Sequence, residues 1–208
     1  MNDHGDSYKL NQRRLRLHPQ LRRMVRDVHL NSAQLMQPYF VAPLSDTHRS
    51  AVAIPGLTGV HRETPDSLLK QIEADLEAGV GSALLFGVPA RKSKSAPFEV
   101  DFTADQIASI KKRFGADLFL AVDVCFCSHT DHGHCGVLSE NGSHLINDET
   151  VRELARAALQ YAQAGADCVA PSDMMDDRIA AIRKTLNDNG FDQTVLMSYA
   201  AKFHSKFY

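Results

Sequence analysis

Residues 64–86 read TPDSLLKQIEADLEAGVGSALLF, and this stretch contains the unit from which the fold can be predicted. Thr64 and Pro65 mark a helix start, because threonine is a good N-cap and proline is favoured at the first helical position. The apolar residues that follow share one face of the helix: Leu68, Leu69, Ile72 and Leu76. We expect this helix to end near Gly79 and the apolar run 83–86 to form a strand.

The same order of helix, glycine and apolar strand recurs along the rest of the chain. Further helices are predicted over about 104–113, after Asn147-Asp148 and around 179–186. With the run that precedes the first helix, five apolar strands are predicted: 38–41, 83–86, 118–122, 168–170 and 194–197. Continuous apolar runs indicate strands buried on both faces, which is typical of a parallel sheet with helices outside it.

Two α/β architectures fit this alternation, an open doubly wound sheet and a (β/α)₈ barrel. No glycine-rich phosphate loop follows any of the strands, whereas polar residues come just after the third, fourth and fifth, an arrangement that favours the barrel. A TIM (β/α)₈ barrel has eight strands and typically about 250 residues. We therefore predict roughly the first five β/α units of a TIM barrel, in a chain that is cut short after its fifth strand.

The first 34 residues differ from the rest of the chain in charge. Seven basic residues and no acidic residue lie between positions 9 and 26. Such a segment is usually a solvated tail, but its leucines and Met24 would also suit an arm that packs on a neighbouring subunit. We predict two parts, an N-terminal basic arm over 1–34 and an incomplete barrel domain over 35–208.

The bulk composition excludes several classes of partner. A net charge of -2 over 208 residues argues against nucleic acid or an anionic membrane as a main partner. No apolar run approaches the roughly 20 residues of a membrane span, and the N-terminus lacks the apolar core of a signal peptide. A cytoplasmic protein with neither a nucleic-acid nor a membrane partner is expected.

The strongest chemical signal is DVCFCSHTDHGHCG, residues 123–136. Cys125, Cys127 and Cys135 could hold Zn²⁺ and leave a fourth position for water or a carbonyl oxygen, as in catalytic zinc sites. Two other interpretations stay open: a structural site closed by a histidine of the same loop, and buried cysteines without a metal. The histidines concerned are His129, His132 and His134. Cys168 falls inside a predicted strand and is expected in the core.

Other reactive side chains follow the predicted strands. Lys202 lies in a small, weakly polar and aromatic stretch, where a desolvated amine near a cation would have a lowered pKa and could attack a ketone. Asp123 could be a general base or a partner for a substrate ammonium group, or it could cap a loop. Ser172 and Asp173 could contact substrate, and they could equally cap the next helix.

These segments together resemble the porphobilinogen synthase family, also called 5-aminolaevulinate dehydratases, continuously from Arg13 to Tyr208. The resemblance rests on nine motifs: RRLR at 13–16, PG at 55–56, LLFGVP at 84–89, DVCFC at 123–127, HGHCG at 132–136, NDET at 147–150, AGAD at 164–167, APSDMMD at 170–176 and MSYAAKF at 197–203. It implies a TIM barrel with an N-terminal arm that wraps a neighbour, commonly in a homo-octamer.

The resemblance also implies an activity, the condensation of two 5-aminolaevulinate molecules to porphobilinogen with loss of two waters. It assigns Zn²⁺ to Cys125, Cys127 and Cys135 and a Schiff base to Lys202. Asp123 and Ser172 would line the pocket; Asp173 is kept as a neighbouring candidate and His134 as a further candidate ligand. Mg²⁺ is expected only in the complete protein.

The family pattern continues beyond Tyr208 with a second Schiff-base lysine and with arginines for the substrate carboxylates. The sequence is therefore expected to be a piece of a longer gene product, or an inactive zinc-binding remnant of the enzyme. In either case the 208-residue chain alone is expected to be inactive. An aldolase-like enzyme that uses Lys202 alone is a third hypothesis, but it would not need three clustered cysteines.

Overall fold

A computed structural model of the protein describes residues 13–45 and 48–201. Its contacts divide the chain into two units, Met1–Asn31 and Ser32–Tyr208. In the first unit, helix α1 (Pro19–Met24) follows a 3₁₀ turn over Arg14–Arg16. The His18 ring caps α1 by accepting the Gln20 N–H. Several apolar side chains of this unit are exposed: Leu15, Leu17, Met24, Val28 and Leu30.

The second unit contains nine strands and four helices within its described residues. The strands are β1 (Gln37–Val41), β2 (Val52–Ala53), β3 (His61–Glu63), β4 (Ser82–Gly87), β5 (Phe119–Val124), β6 (Val137–Leu138), β7 (Leu145–Ile146), β8 (Cys168–Pro171) and β9 (Val195–Leu196). The helices are α2 (Pro65–Glu77), α3 (Asp101–Phe114), α4 (Asn147–Gln163) and α5 (Arg178–Asp188).

Seven strands form one sheet in the order β2-β3-β1-β4-β5-β8-β9. All neighbours in it are parallel except β2 and β3, and the remaining two strands, β6 and β7, form a separate antiparallel pair. The five predicted strands are confirmed as β1, β4, β5, β8 and β9, and the four predicted helices as α2 to α5. The prediction missed β2, β3, β6 and β7, because strands of two or three residues are too short to show a hydrophobic period.

Helix α2 begins where its sequence predicts. Thr64 Oγ1 accepts the Ser67 N–H at 3.2 Å, and Ser67 Oγ accepts the Thr64 N–H at 2.9 Å, so two donors at the helix start are satisfied reciprocally. Leu68 and Ile72 are buried on its inner face. Gly79, at φ +85°, supplies the left-handed conformation that ends the helix.

The amino ends of two neighbouring strands are held together by a partly buried ion pair. Lys111 Nζ on α3 donates to both Asp167 carboxylate oxygens, at 3.1 and 2.8 Å, and to the Leu118 carbonyl oxygen at 3.2 Å. Asp167 also accepts the Leu120 N–H at 2.7 Å. Leu118 precedes β5 and Asp167 precedes β8, so this network stabilises the end of the sheet where the parallel strands begin. The candidate site residues lie at the opposite edge, where the strands end.

The carboxyl ends of the strands meet at that opposite edge. Val124 pairs with Pro171 in the β5–β8 register, and the Ser172 N–H donates to the Val124 carbonyl oxygen at 3.4 Å. The residues that follow β5 and β8, Cys125 and Ser172, are therefore brought side by side. Among the residues that the structure describes, no helix has both the length and the apolar character needed to cross a bilayer.

Candidate metal centre and pocket

Three cysteine sulfurs converge at the carboxyl end of β5. Cys125 Sγ lies 3.3 Å from Cys127 Sγ and 2.7 Å from Cys135 Sγ. The Sγ atoms of Cys127 and Cys135 are 2.8 Å apart. Within residues 13–45 and 48–201 this is the one group of at least three His, Cys, Asp or Glu side chains that could hold a metal ion. Three soft sulfur donors are suited to zinc more than to magnesium, which prefers oxygen ligands.

The first two cysteines are set by the aromatic residue between them. Phe126 is buried, and its ring packs 4.5 Å from the Phe98 ring and 5.5 Å, edge to face, from the His129 ring. The Phe126 carbonyl oxygen accepts the N–H groups of His129 and Thr130, which turns the chain directly after Cys127. Phe126 is held in the core, and the residues on either side of it, Cys125 and Cys127, both line the cavity described below.

Two thiols of the cluster, those of Cys125 and Cys135, have raised pKa values when no metal is bound. The hydrogen bond to Cys127 raises the pKa of Cys125, and burial adds to this effect. The pKa of Cys135 is raised because both neighbouring thiols hydrogen-bond to it. A bound cation would take the place of these protons and favour the thiolates.

The three loop histidines occupy different surroundings. His129 is buried, and burial lowers its pKa to about 4, so its ring is neutral near pH 7. The rings of His132 and His134 stack with centroids 6.2 Å apart. In the part of the chain that the structure describes, the metal-ligating cluster contains the three sulfurs, and no histidine nitrogen is grouped with them.

A cavity of about 230 Å³ lies beside the cysteine cluster. Five of the residues singled out from the sequence line it together: Asp123, Cys125, Cys127, His129 and Ser172. Phe40 and Phe86 form an apolar wall, with ring centroids 4.8 Å apart. The site therefore combines thiols that could hold a metal, a carboxylate, a hydroxyl and an apolar surface, which suits a small molecule with both polar and apolar parts.

Sequence reasoning missed several residues of this lining, among them Tyr161 on α4. Tyr161 is buried, and burial raises the pKa of its phenol, an effect that the nearby Asp123 charge strengthens. The phenol therefore stays protonated and can act as a donor. Phe40 and Phe86 could have been predicted as lining residues, since both stand near the carboxyl ends of predicted strands. Tyr161 carried none, because an aromatic residue on an amphipathic helix is normally a core residue.

Asp173 has a different environment from its neighbour Ser172. Its buried carboxylate accepts the Met175 N–H at 2.8 Å and lies 3.3 Å from Arg178 Nε. Burial raises its pKa to about 6. The side chain thus braces the loop between β8 and α5 and is not part of the cavity lining. The N-cap of α5 is Asp177, so neither Ser172 nor Asp173 caps that helix.

Lys202 lies outside the described residues, as does Lys206. The chain that leads to Lys202 does approach the site, since the Tyr199 N–H donates to the Pro171 carbonyl oxygen at 3.3 Å. This contact brings the segment after β9 beside the end of β8, next to Ser172.

Comparison with known proteins identifies one family. The family model described as "Delta-aminolevulinic acid dehydratase" matches residues 9–208. Among relatives of that name, the chain is 39% identical to the one from Methanothermobacter thermautotrophicus, covering 100% of this chain and 63% of that protein. It is 38% identical to the one from Methanothermus sociabilis, covering 94% and 60%. The Ruminiclostridium josui protein is 41% identical, with 94% of each chain covered.

A solved structure agrees with these matches. The crystal structure of delta-aminolevulinic acid dehydratase (porphobilinogen synthase) from Toxoplasma gondii, in complex with the reaction product porphobilinogen, is 32% identical and superposes with a TM-score of 0.89. It covers 100% of this chain and 60% of that one. The predicted α/β fold of TIM-barrel type is confirmed. The chain spans about three fifths of the length of the first two relatives, 60% and 63%.

Proposed function

The chain belongs to the delta-aminolevulinic acid dehydratase family, and we propose that the protein is a porphobilinogen synthase. This hydro-lyase would condense two molecules of 5-aminolaevulinate to porphobilinogen with loss of two waters, a step of tetrapyrrole and haem biosynthesis. The observation that carries the proposal is the three-sulfur cluster beside a cavity that Cys125, Cys127, Asp123 and Ser172 line. The product-bound relative supports a small-molecule substrate of this kind.

The ligands for Zn²⁺ are proposed to be Cys125, Cys127 and Cys135. Zinc held by three thiolates with an open position would supply Lewis acidity toward a substrate carbonyl or amine. The residues around it would orient the substrate: the Asp123 carboxylate would face a substrate ammonium group or accept a proton, and the Ser172 hydroxyl would hydrogen-bond to substrate oxygen. The apolar wall of Phe40 and Phe86 would keep water away from the aliphatic chain.

Lys202 is proposed to form the Schiff base. Its neutral amine would add to the ketone carbon of one substrate, and the resulting carbinolamine would take up a proton and lose water to give an iminium. Asp173 is proposed to act through the loop that it braces rather than by touching substrate. Mg²⁺ in the complete protein, a homo-octamer, a role of His134 at the metal and a cytoplasmic location stay predictions.

Metal content tests the cysteine assignment. Cys135→Ser should lower bound zinc to well below one ion per chain, whereas Cys168→Ser should leave the zinc content unchanged. Cys168 is a matched control because it is buried in β8 and is not a member of the sulfur cluster. Equal zinc content in the two variants would contradict the assignment.

Covalent trapping tests the Schiff base. In the complete protein, borohydride reduction in the presence of labelled 5-aminolaevulinate should attach label to Lys202. In the same protein, Lys202→Ala should abolish porphobilinogen formation and Lys206→Ala should not. Zinc binding without labelling or turnover would favour the alternative function, a zinc-binding remnant that has lost catalysis.

A further inference from the structure

The third cysteine of the cluster is placed by a loop rather than by the sheet. Cys125 follows β5 directly, whereas Cys135 comes ten residues later, beyond a segment without helix or regular strand. A side chain on such a segment converges with two others only if contacts elsewhere fix its backbone. We propose that two buried threonines, Thr130 and Thr150, are positioning residues that hold Cys135 at the metal site. This inference rests on the proposed zinc site.

Thr130 holds the chain on the amino side of Cys135. It is fully buried, and its Oγ1 donates to the carbonyl oxygen of His134 at 2.7 Å. Its own backbone is fixed by two neighbours: the Thr130 N–H donates to Phe126 O at 3.0 Å, and the flanking residues exchange hydrogen bonds with Ser93. Thr130 therefore joins the turn that carries the first two cysteines to the peptide group just before the third.

Thr150 holds the chain on the carboxyl side. It stands in the first turn of α4 and is fully buried. Its Oγ1 accepts the Val137 N–H at 2.9 Å and donates to the Ile146 carbonyl oxygen at 2.8 Å. Gly136, at φ +99°, allows this approach, because a Cβ there would lie only 2.8 Å from Thr150 Oγ1.

The two hydroxyls thus act on backbone groups that lie one residue before and two residues after Cys135. Each satisfies a polar group that would otherwise be left without a partner when the loop is in place, so loss of a hydroxyl favours other loop positions. Mutation of residues that orient metal ligands typically lowers the metal affinity by about 10–100-fold. We expect a loss of about 10-fold or more in zinc affinity for each hydroxyl removed.

The test compares variants that differ in the hydroxyl alone. Thr130→Val and Thr150→Val keep the branched shape without the hydroxyl, and Thr130→Ser and Thr150→Ser keep the hydroxyl. Zinc affinity is measured by chelator competition, and the thiolate-to-metal absorption of the Co²⁺-loaded protein reports the number of sulfur ligands. The valine variants should bind zinc at least about 10-fold more weakly and lose cobalt–thiolate absorption, while the serine variants should stay close to the unchanged protein.

Thr64→Val is the control for a purely structural effect. Thr64 is also buried and hydrogen-bonded, but it caps α2, so its loss should lower the free energy of unfolding and leave zinc affinity unchanged. If a valine variant does not fold, the alanine variant replaces it in the comparison with serine. Valine or alanine variants that bind zinc as tightly as the serine variants would overturn the proposal.

The outcome also separates this inference from the proposed zinc site. If Cys135→Ser does not weaken zinc binding, the metal site itself is wrong and the inference falls with it. If Cys135→Ser releases zinc but the threonine variants keep it, the metal site stands and only the positioning role is wrong.

Discussion

Gly87→Ala should destabilise the protein although it adds a single methyl group. Gly87 ends β4 and lines the cavity. A Cβ at this position would lie 1.8 Å from Thr103 Oγ1, 2.8 Å from Thr103 Cβ and 2.9 Å from Thr103 Cγ2. All three atoms belong to one buried residue in the first turn of α3, so the clash cannot be relieved by a flexible side-chain end.

The size of the effect follows from these distances. Thr103 Oγ1 would have to retreat from 1.8 Å to at least 3.0 Å, which requires a new rotamer or a shift of α3 away from the sheet. Inserting a methyl group into a packed core costs about 1–3 kcal/mol, and we expect the upper end or more here. Against a total stability of about 5–15 kcal/mol, such a loss is readily measured.

Urea unfolding monitored by circular dichroism would measure the change, with Gly81→Ala as the matched control. Gly81 directly precedes the same strand, and a Cβ there would meet only Asp117 O at 3.8 Å, an ordinary contact. Adding Thr103→Ala to Gly87→Ala should recover about 1 kcal/mol or more, because it removes two of the three clashing atoms. Equal stability of Gly87→Ala and Gly81→Ala would refute the packing argument.

Three other results are expected. Because burial raises the pKa of Asp173 from 3.8 to about 6, its contribution to stability is present below pH 3.8 and is lost as the pH rises through 6. Asp173→Asn should therefore make the free energy of unfolding less dependent on pH between 4.5 and 7, and an unchanged slope would contradict this. Asp177 has φ +62°, so Asp177→Val should be less stable than Asp177→Gly by at least about 1 kcal/mol in thermal unfolding. Deleting residues 1–30 from the complete protein should lower the size of its oligomer in sedimentation, since Leu17, Met24 and Leu30 are 73%, 79% and 80% exposed and suit a subunit contact; an unchanged oligomer would exclude that role.

The main sheet could be predicted because each of its long strands is an apolar run buried by helices. β4, β5 and β8 are interior strands of the sheet, and the apolar residues of each predict a buried strand from local sequence alone. β3 could not be found in this way. It contains His61-Arg62-Glu63, and its pairing with β1 on one side and β2 on the other makes it a strand. That pairing depends on tertiary structure, which no local pattern records.

The sequence predicted those residues of the candidate site that can be recognised from residue type and position along the chain. The thiol spacing and the polar residues after β5 and β8 indicated Cys125, Cys127, Asp123 and Ser172, and the structure places these four on one cavity. The sequence could not separate Ser172 from Asp173, because both follow the same strand. Their surroundings differ in the folded chain: the Asp173 carboxylate accepts the Met175 N–H and lies 3.3 Å from Arg178 Nε, and these contacts keep it in its own loop.

The two threonines show why supporting residues are harder to find than ligands. Clustered cysteines indicate a metal site by their residue type alone. Thr150, in contrast, stands in an Asn-Asp-Glu-Thr sequence that would suit any helix start. Its function depends on Gly136, fourteen residues earlier, whose missing side chain lets the hydroxyl reach the Val137 N–H. Neither Gly136 nor Thr150 alone indicates a role at the metal site, and their contact can be seen only in the folded loop. The local sequence pattern therefore identifies the donor atoms of the candidate metal centre. The positions of those atoms depend on hydrogen bonds between segments that are far apart in the sequence.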